Sequence, residues 1–203
     1  MVVLCASLNN GCLQKMSSHH FVKEDQEPAL IIADASAVSF EKIQELLEWS
    51  PTVIVMESSL EMVLSWGIKM DVAIVKTESI TRWTSILNDQ MPVKLLTYSK
   101  EDALLTAFHF ILAKKQYTAN LVSDLNQPLS GFLASINNRL SVVVFSKQIR
   151  WSFLSSGKFE KWLPKKSSIK IFNPDEENKI IQTQQEGIFT IERPAPFWIG
   201  TEW

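Results

Sequence analysis

Val93-Lys94-Leu95-Leu96-Thr97 and Ala119-Asn120-Leu121-Val122-Ser123 flank the segment Glu101-Asp102-Ala103-Leu104-Leu105-Thr106-Ala107-Phe108-His109-Phe110-Ile111-Leu112, and the reading of these three stretches decides the fold. Across residues 100–115, Leu104, Ala107, Phe108, Ile111 and Lys115 recur at steps of three and four, with Leu105 and Leu112 alongside. That spacing predicts a helix with a broad apolar face. The flanking runs are short and nearly continuously hydrophobic, as strands covered on both faces must be. Working outward, similar runs fall at 29–33, 52–56, 71–75 and 140–145, with helical patterns at 39–49, 60–66, 80–88 and 129–137. The alternation predicts an α/β fold with a doubly wound, mostly parallel sheet.

The pattern changes after Phe145. Residues 148–154, 168–172, 179–183 and 187–192 read as short strands joined by turn signals such as Ser156-Gly157, Asn173-Pro174 and Glu186-Gly187. We therefore expect an α/β domain over 29–146 and a small all-β C-terminal domain over 147–203, preceded by an N-terminal extension at 1–28. About 55 residues make a thin core, so the second unit is expected to lean on the first or on another copy of the chain. Trp198 and Trp203 belong to an aromatic tail that either docks on a partner subunit or folds over its own β domain. Met16 is a plausible start in its own right, so residues 1–15 are expected to be a loosely attached extension. An intact-mass measurement on natively expressed protein checks this.

The net charge is −2, and the most basic stretch, Lys158, Lys161, Lys165 and Lys166, is interrupted by Glu160. It reads as a solvated loop, and nucleic acid is not an expected partner. Cys5 and Cys12 are the only cysteines. No Cys and His have zinc-ligand spacing, and two thiols alone suit a reducing compartment, so the cytoplasm is the expected location. No apolar run nears the roughly 20 residues of a membrane span. The six glycines form neither a dinucleotide fingerprint nor a phosphate loop. No G-x-S-x-G elbow is present, and His109 lies mid-helix, where a packed or surface role suits it.

Local strings carry a resemblance. Leu64-Ser65-Trp66-Gly67-Ile68-Lys69-Met70-Asp71 is similar to the thiamin pyrophosphokinase segment that leads through a Gly-Ile-x-x-Asp turn into a strand. Glu101 to Ala107 is similar to that family's Thr-Asp-x-x-x-x-Ala helix start, and Gly187 to Gly200 to a shortened family C-terminus. Together with element order, the resemblance covers roughly residues 29–199. It implies an α/β catalytic domain followed by a β domain, a homodimer, and transfer of a diphosphoryl group from ATP to thiamin with Mg²⁺.

The matching motifs are depleted. The family's Gly-Asp-Phe-Asp-Ser corresponds to Val75-Lys76-Thr77-Glu78-Ser79, its Asp-x-Thr-Asp to Ser99-Lys100-Glu101-Asp102, and its Gly-Gly-Arg-x-Asp-His to Asn126-Gln127-Pro128-Leu129-Ser130-Gly131. The resemblance assigns Glu78 and Asp102 as the catalytic acids and, if Mg²⁺ is bound at all, its ligands. It assigns Asp34, Lys76, Ser79, Asn126, Ser130 and Trp198 to ligand binding. Diphosphoryl transfer needs clustered carboxylates for Mg²⁺ and amides or Arg near the phosphates. A Lys in a carboxylate position puts fixed positive charge where the ion belongs. Lys76 is therefore expected either to replace the metal, pairing with Glu78 or Asp102, or to be a solvated loop residue. Asp102 equally suits a helix cap, Glu78 and Ser79 a helix N-terminus, and Asp34 a turn. The expectation is weakened or lost catalysis with thiamin, thiamin diphosphate or ATP still bound. The alternative is a non-catalytic homodimeric structural or interaction protein.

Overall fold

The computed structural model describes residues 27–99, 102–155, 157–173 and 179–203. The N-terminal extension up to residue 26, with both cysteines and the Met16 start, lies outside them, as does Glu101. Six parallel strands open the fold: β1 (Ala29–Ile32), β2 (Val53–Met56), β3 (Val72–Lys76), β4 (Lys94–Tyr98), β5 (Thr118–Val122) and β6 (Ser141–Ser146). The helices between them are α1 (Phe40–Leu47), α2 (Glu57–Ser65), α3 (Ile80–Ile86), α4 (Ala103–Ala113) and α5 (Gln127–Ile136). α2 ends at Trp66, where Gly67 takes φ +66°, a conformation costly for any residue with a Cβ.

The C-terminal strands are β7 (Ile149–Leu154), β8 (Gly157–Leu163), β9 (Ser168–Phe172), β10 (Lys179–Gln182), β11 (Gly187–Arg193) and β12 (Phe197–Glu202). One sheet takes ten of the twelve, in the order β10-β9-β12-β7-β6-β5-β1-β2-β3-β4. Direction changes near residue 146, where β7 turns back antiparallel on β6, but the hydrogen bonding runs on without a break. β8 and β11 form a separate antiparallel ribbon.

Two layers cover the first half of the sheet. Ile43 of α1, Leu60 and Val63 of α2 and Trp83 of α3 pack on Leu30, Val55, Ala73 and Val75. Leu104, Ala107, Phe108 and Ile111 of α4 and Leu133 of α5 pack on Ile31, Ile54, Ile74 and Leu121 on the opposite face. The positions of α4 predicted to be apolar are the buried ones. Each side chain of this size, fully buried, contributes about 1.5–3 kcal/mol. The ribbon lays Phe159, Phe189 and Ile191 over Ile169, Ile171, Phe197 and Ile199.

Two expectations are corrected here. Lys158 and Lys161 stand in strand β8 rather than in a loop, while Lys165 and Lys166 lie in the exposed turn that follows it. Phe159 and Leu163 face the sheet, while Lys158 and Glu160 pair on the exposed side, so charge patterning hid a period of two. Of the two alternatives for the aromatic tail, the structure has the one within its own C-terminal half, though as strand β12, hydrogen-bonded between β7 and β9, rather than as a segment laid over it. A Cβ on Gly200 would sit 2.8 Å from Ile149 Cγ2 and 2.9 Å from the Trp151 ring, so the missing side chain leaves room for that indole. Gly200→Val is therefore expected to destabilise the fold by about 1–3 kcal/mol through overpacking. Thermal denaturation checks this, and an unchanged midpoint would refute the close approach.

Candidate functional site

The C-terminal ends of β1 to β4 and the start of α4 enclose a cleft of about 570 Å³, lined by Ala33, Met56, Glu57, Ser58, Lys76, Glu78, Ser79, Tyr98, Asp102, Ala103 and Leu104. It borders the place where strand order reverses, because β1 sits between β2 and β5. Open α/β sheets collect ligands at this point, since neighbouring crossovers diverge there and leave a crevice.

Glu57 is the centre of the polar network. It is the first residue of α2, where negative charge is favoured by the helix dipole. Its Oε2 accepts the Lys76 backbone N–H at 2.7 Å, and its Oε1 accepts the Trp83 indole N–H at 3.0 Å. Burial works against the charge of this carboxylate. The hydrogen bonds from the Lys76 amide, the Trp83 indole and Ser79, with the positive charge of Lys76, outweigh that cost, and the pKa falls below its ordinary value.

The rim is tied down locally. Ser58 and Ser59 donate to the Ala33 carbonyl, and Ser59 also accepts the Ala35 amide. Thr77 donates to the Tyr98 carbonyl, joining the ends of β3 and β4.

Of the residues singled out in the sequence, Lys76, Glu78, Ser79 and Asp102 line the cleft together. Asp102 also caps α4, its Oδ1 accepting the Leu104 amide at 2.8 Å. Asp102→Ala is accordingly expected to cost about 0.5–2 kcal/mol from the lost cap alone, measured by denaturant unfolding. Asp34 stands one residue beyond the cleft and caps a 3₁₀ turn, its Oδ1 accepting from the Ser36 amide and hydroxyl.

The other three lie outside the cleft lining. Asn126 caps α5 through the Leu129 amide. Ser130 is fully buried and donates to the Gln127 carbonyl within the helix. Trp198 is 1% exposed in β12 and packs against Phe153 with ring centroids 5.3 Å apart. Lys76 makes no ion pair with Glu78 or Asp102 among the described residues. The carboxylate its charge acts on is that of Glu57.

Glu57, Ser58 and Tyr98 were not anticipated. Their signal was present: Met56-Glu57-Ser58 places an acid and a hydroxyl directly after an apolar run, at the mouth of a parallel strand. Starting the helix at residue 60 hid it.

The cleft acids fit Mg²⁺ poorly. Both Glu57 oxygens already accept N–H groups, one Asp102 oxygen accepts another, and an ammonium shares the space. Among the described residues no three Asp, Glu, His or Cys side chains converge as a divalent ion requires. Among the same residues, no helix is long and apolar enough to cross a membrane.

No family model and no curated protein sequence matches the chain. Solved structures do. Thiamin pyrophosphokinase from Candida albicans superposes with a TM-score of 0.67 at 9% identity, covering 90% of each chain. The Bacillus subtilis enzyme gives 0.63 at 11% identity over 86% of this chain and 98% of its own. Yeast thiamin pyrophosphokinase gives 0.60 at 6% identity, with 89% of each chain covered. Superposition over 86–90% of this chain and 89–98% of those proteins gives this chain the thiamin pyrophosphokinase fold.

Proposed function

We propose that the protein is a relative of thiamin pyrophosphokinases that binds thiamin in the cleft at the ends of β1 to β4 and has lost diphosphoryl transfer. The observation that carries this reading is the charge of the cleft: among the described residues, the carboxylates of Glu57, Glu78 and Asp102 stand against the ammonium of Lys76. Thiamin carries a permanent positive charge on a heteroaromatic ring. Carboxylates attract that charge, and the half-buried ring of Tyr98 offers a face to it. A triphosphate meets the opposite field. Phosphates need backbone amides, Arg or a metal to offset their charge, and the lining has neither a glycine-rich turn nor an Arg.

The chain's own groups then have defined tasks. Glu57, held ionised by its donors, supplies the counter-charge. Lys76 limits the negative field of the cleft, and Asp102 and Glu78 exclude polyanions.

Melting the protein with thiamin, thiamin diphosphate, ATP, AMP and Mg²⁺ tests this, because a ligand that prefers the native state raises the midpoint by mass action. The expected result is a shift with thiamin, none with ATP and Mg²⁺, and no AMP release in their presence. A shift with ATP and Mg²⁺ accompanied by AMP release would establish an active kinase and overturn the proposal.

A second reading, an interaction protein that keeps the fold and a dimer alone, is favoured by one observation. The outer side of the ribbon exposes Trp162 opposite Ile188, at 57% and 68%, an apolar cross-strand pair of the kind that partners cover. Light scattering is expected to give a homodimer that Trp162→Ser with Ile188→Ser converts to monomer. Absence of any thiamin shift together with such a dimer would favour this reading over the first.

A further inference from the structure

A second cavity, of about 760 Å³, lies apart from the cleft. Pro28 and Pro51, which lead into β1 and β2, border it, so it opens beside the N-terminal ends of strands whose C-terminal ends form the cleft. Its wall is the end of α1 with Trp49, and its floor is built from Asn120 of β5, Phe145 of β6 and Arg150 of β7. Trp203 closes it. The Trp203 indole stands edge-on to Phe145 at 4.4 Å between centroids, and its amide is held by the Gln148 carbonyl at 3.2 Å. Such a volume, with aromatic walls and a few polar groups, is typical of small-molecule sites.

The polar groups divide into two sets. Lys42 and Glu45 satisfy each other at 2.9 Å, and the Lys42 ammonium lies 4.8 Å over the Trp203 ring. That leaves Arg150 and Asn120, whose side chains have no partner among the described residues and offer donors from the floor. It also leaves Glu27 and Glu48, which offer carboxylates from the rim and are equally without partners there. Trp49, 70% exposed, stands beside them as a bare aromatic face.

We propose that this cavity binds a zwitterionic small molecule with an aromatic body, of the size of a free aromatic amino acid. A carboxylate of the ligand meets Arg150 and Asn120, as guanidinium geometry favours. An ammonium meets Glu27 and Glu48, and the ring lies against Trp49 and Trp203. This site is independent of thiamin binding, because the two cavities share no lining residue.

Titration calorimetry and saturation-transfer NMR on the full chain, with L-phenylalanine, phenylpropionate and phenethylamine as probes, test it. L-phenylalanine is expected to bind, and loss of either charged group to weaken binding about tenfold or more. Arg150→Ala is expected to weaken L-phenylalanine and phenylpropionate by a similar factor while sparing phenethylamine, with Glu48→Gln giving the reverse pattern. Both positions are exposed, so unchanged melting points and an unchanged thiamin response in the variants exclude a folding defect. Equal binding of all three probes, no binding of L-phenylalanine, indifference to Arg150→Ala, or displacement of L-phenylalanine by thiamin would each overturn the proposal.

Discussion

Trp198→Ala is expected to destabilise the protein by about 3–5 kcal/mol, the cost of emptying a core position of this size. Trp198 is 1% exposed on an interior strand, packs on Phe153, and belongs to the same apolar cluster as α4 and α5. For a chain near 200 residues that corresponds to a fall of roughly 6–20 °C in melting temperature. Its indole N–H has no acceptor among the described residues, so Trp198→Phe is expected to recover most of the loss. The same pair of variants separates packing from ligand contact. If Trp198→Ala folded as stably as the parent and lost only thiamin binding, the side chain would be a ligand contact, and the description of β12 as core would be wrong.

Glu57→Leu is expected to abolish the thiamin-induced shift and to cost about 1–3 kcal/mol of stability. The two N–H donors it abandons are not equivalent. The Lys76 amide stands at an exposed position and regains water, whereas Trp83 is 2% exposed and its indole N–H loses its acceptor. Most of the stability loss therefore comes from Trp83. Glu57→Gln keeps an amide oxygen for that indole and removes the charge. It is expected to melt close to the parent while weakening thiamin about tenfold or more, the scale of a lost charge-assisted contact. Equal thiamin affinity in parent and Glu57→Gln would rule out the counter-charge role.

The pH dependence has a definite sign. The folded chain lowers the pKa of Glu57 below that of the unfolded chain, first against the cost of burial and then through its three donors and Lys76. The unfolded state thus binds the proton more readily. The stabilisation is complete above the ordinary carboxylate pKa and is lost as pH falls through the depressed value. Acid unfolding of parent and Glu57→Gln compared over that window checks this: the parent is expected to show the steeper loss. Parallel curves would contradict the shift.

The parallel half of this fold was legible because local and global signals agree there. The α4 pattern at Leu104, Ala107, Phe108 and Ile111 buries the side it predicts, and the apolar runs become strands covered on both faces. Glu78, Asp102, Lys76 and Ser79, picked out by their family-like strings, also end in one cleft, at or just beyond the C-terminal ends of β3 and β4. Less legible were elements whose character depends on a partner strand. Lys158, Glu160 and Lys161 look like a loop until Gly187–Arg193 pairs with them. Phe197-Trp198-Ile199-Gly200 looks like a loose tail until β7 and β9 enclose it. Sequence spacing carries no record of contacts between residues so far apart.

What the sequence determined by itself is the periodicity of its elements, and hence an α/β architecture with parallel strands, together with the absence of a glycine-rich phosphate loop. Those are local properties, written in residue type and spacing. Only the tertiary structure decided that Glu57 is the anchored carboxylate of the cleft, that Ser130 and Trp198 are interior packing, and that the C-terminal strands extend the first sheet. Each of these depends on which groups, distant along the chain, end within hydrogen-bonding or van der Waals distance, and closure of the sheet settles that.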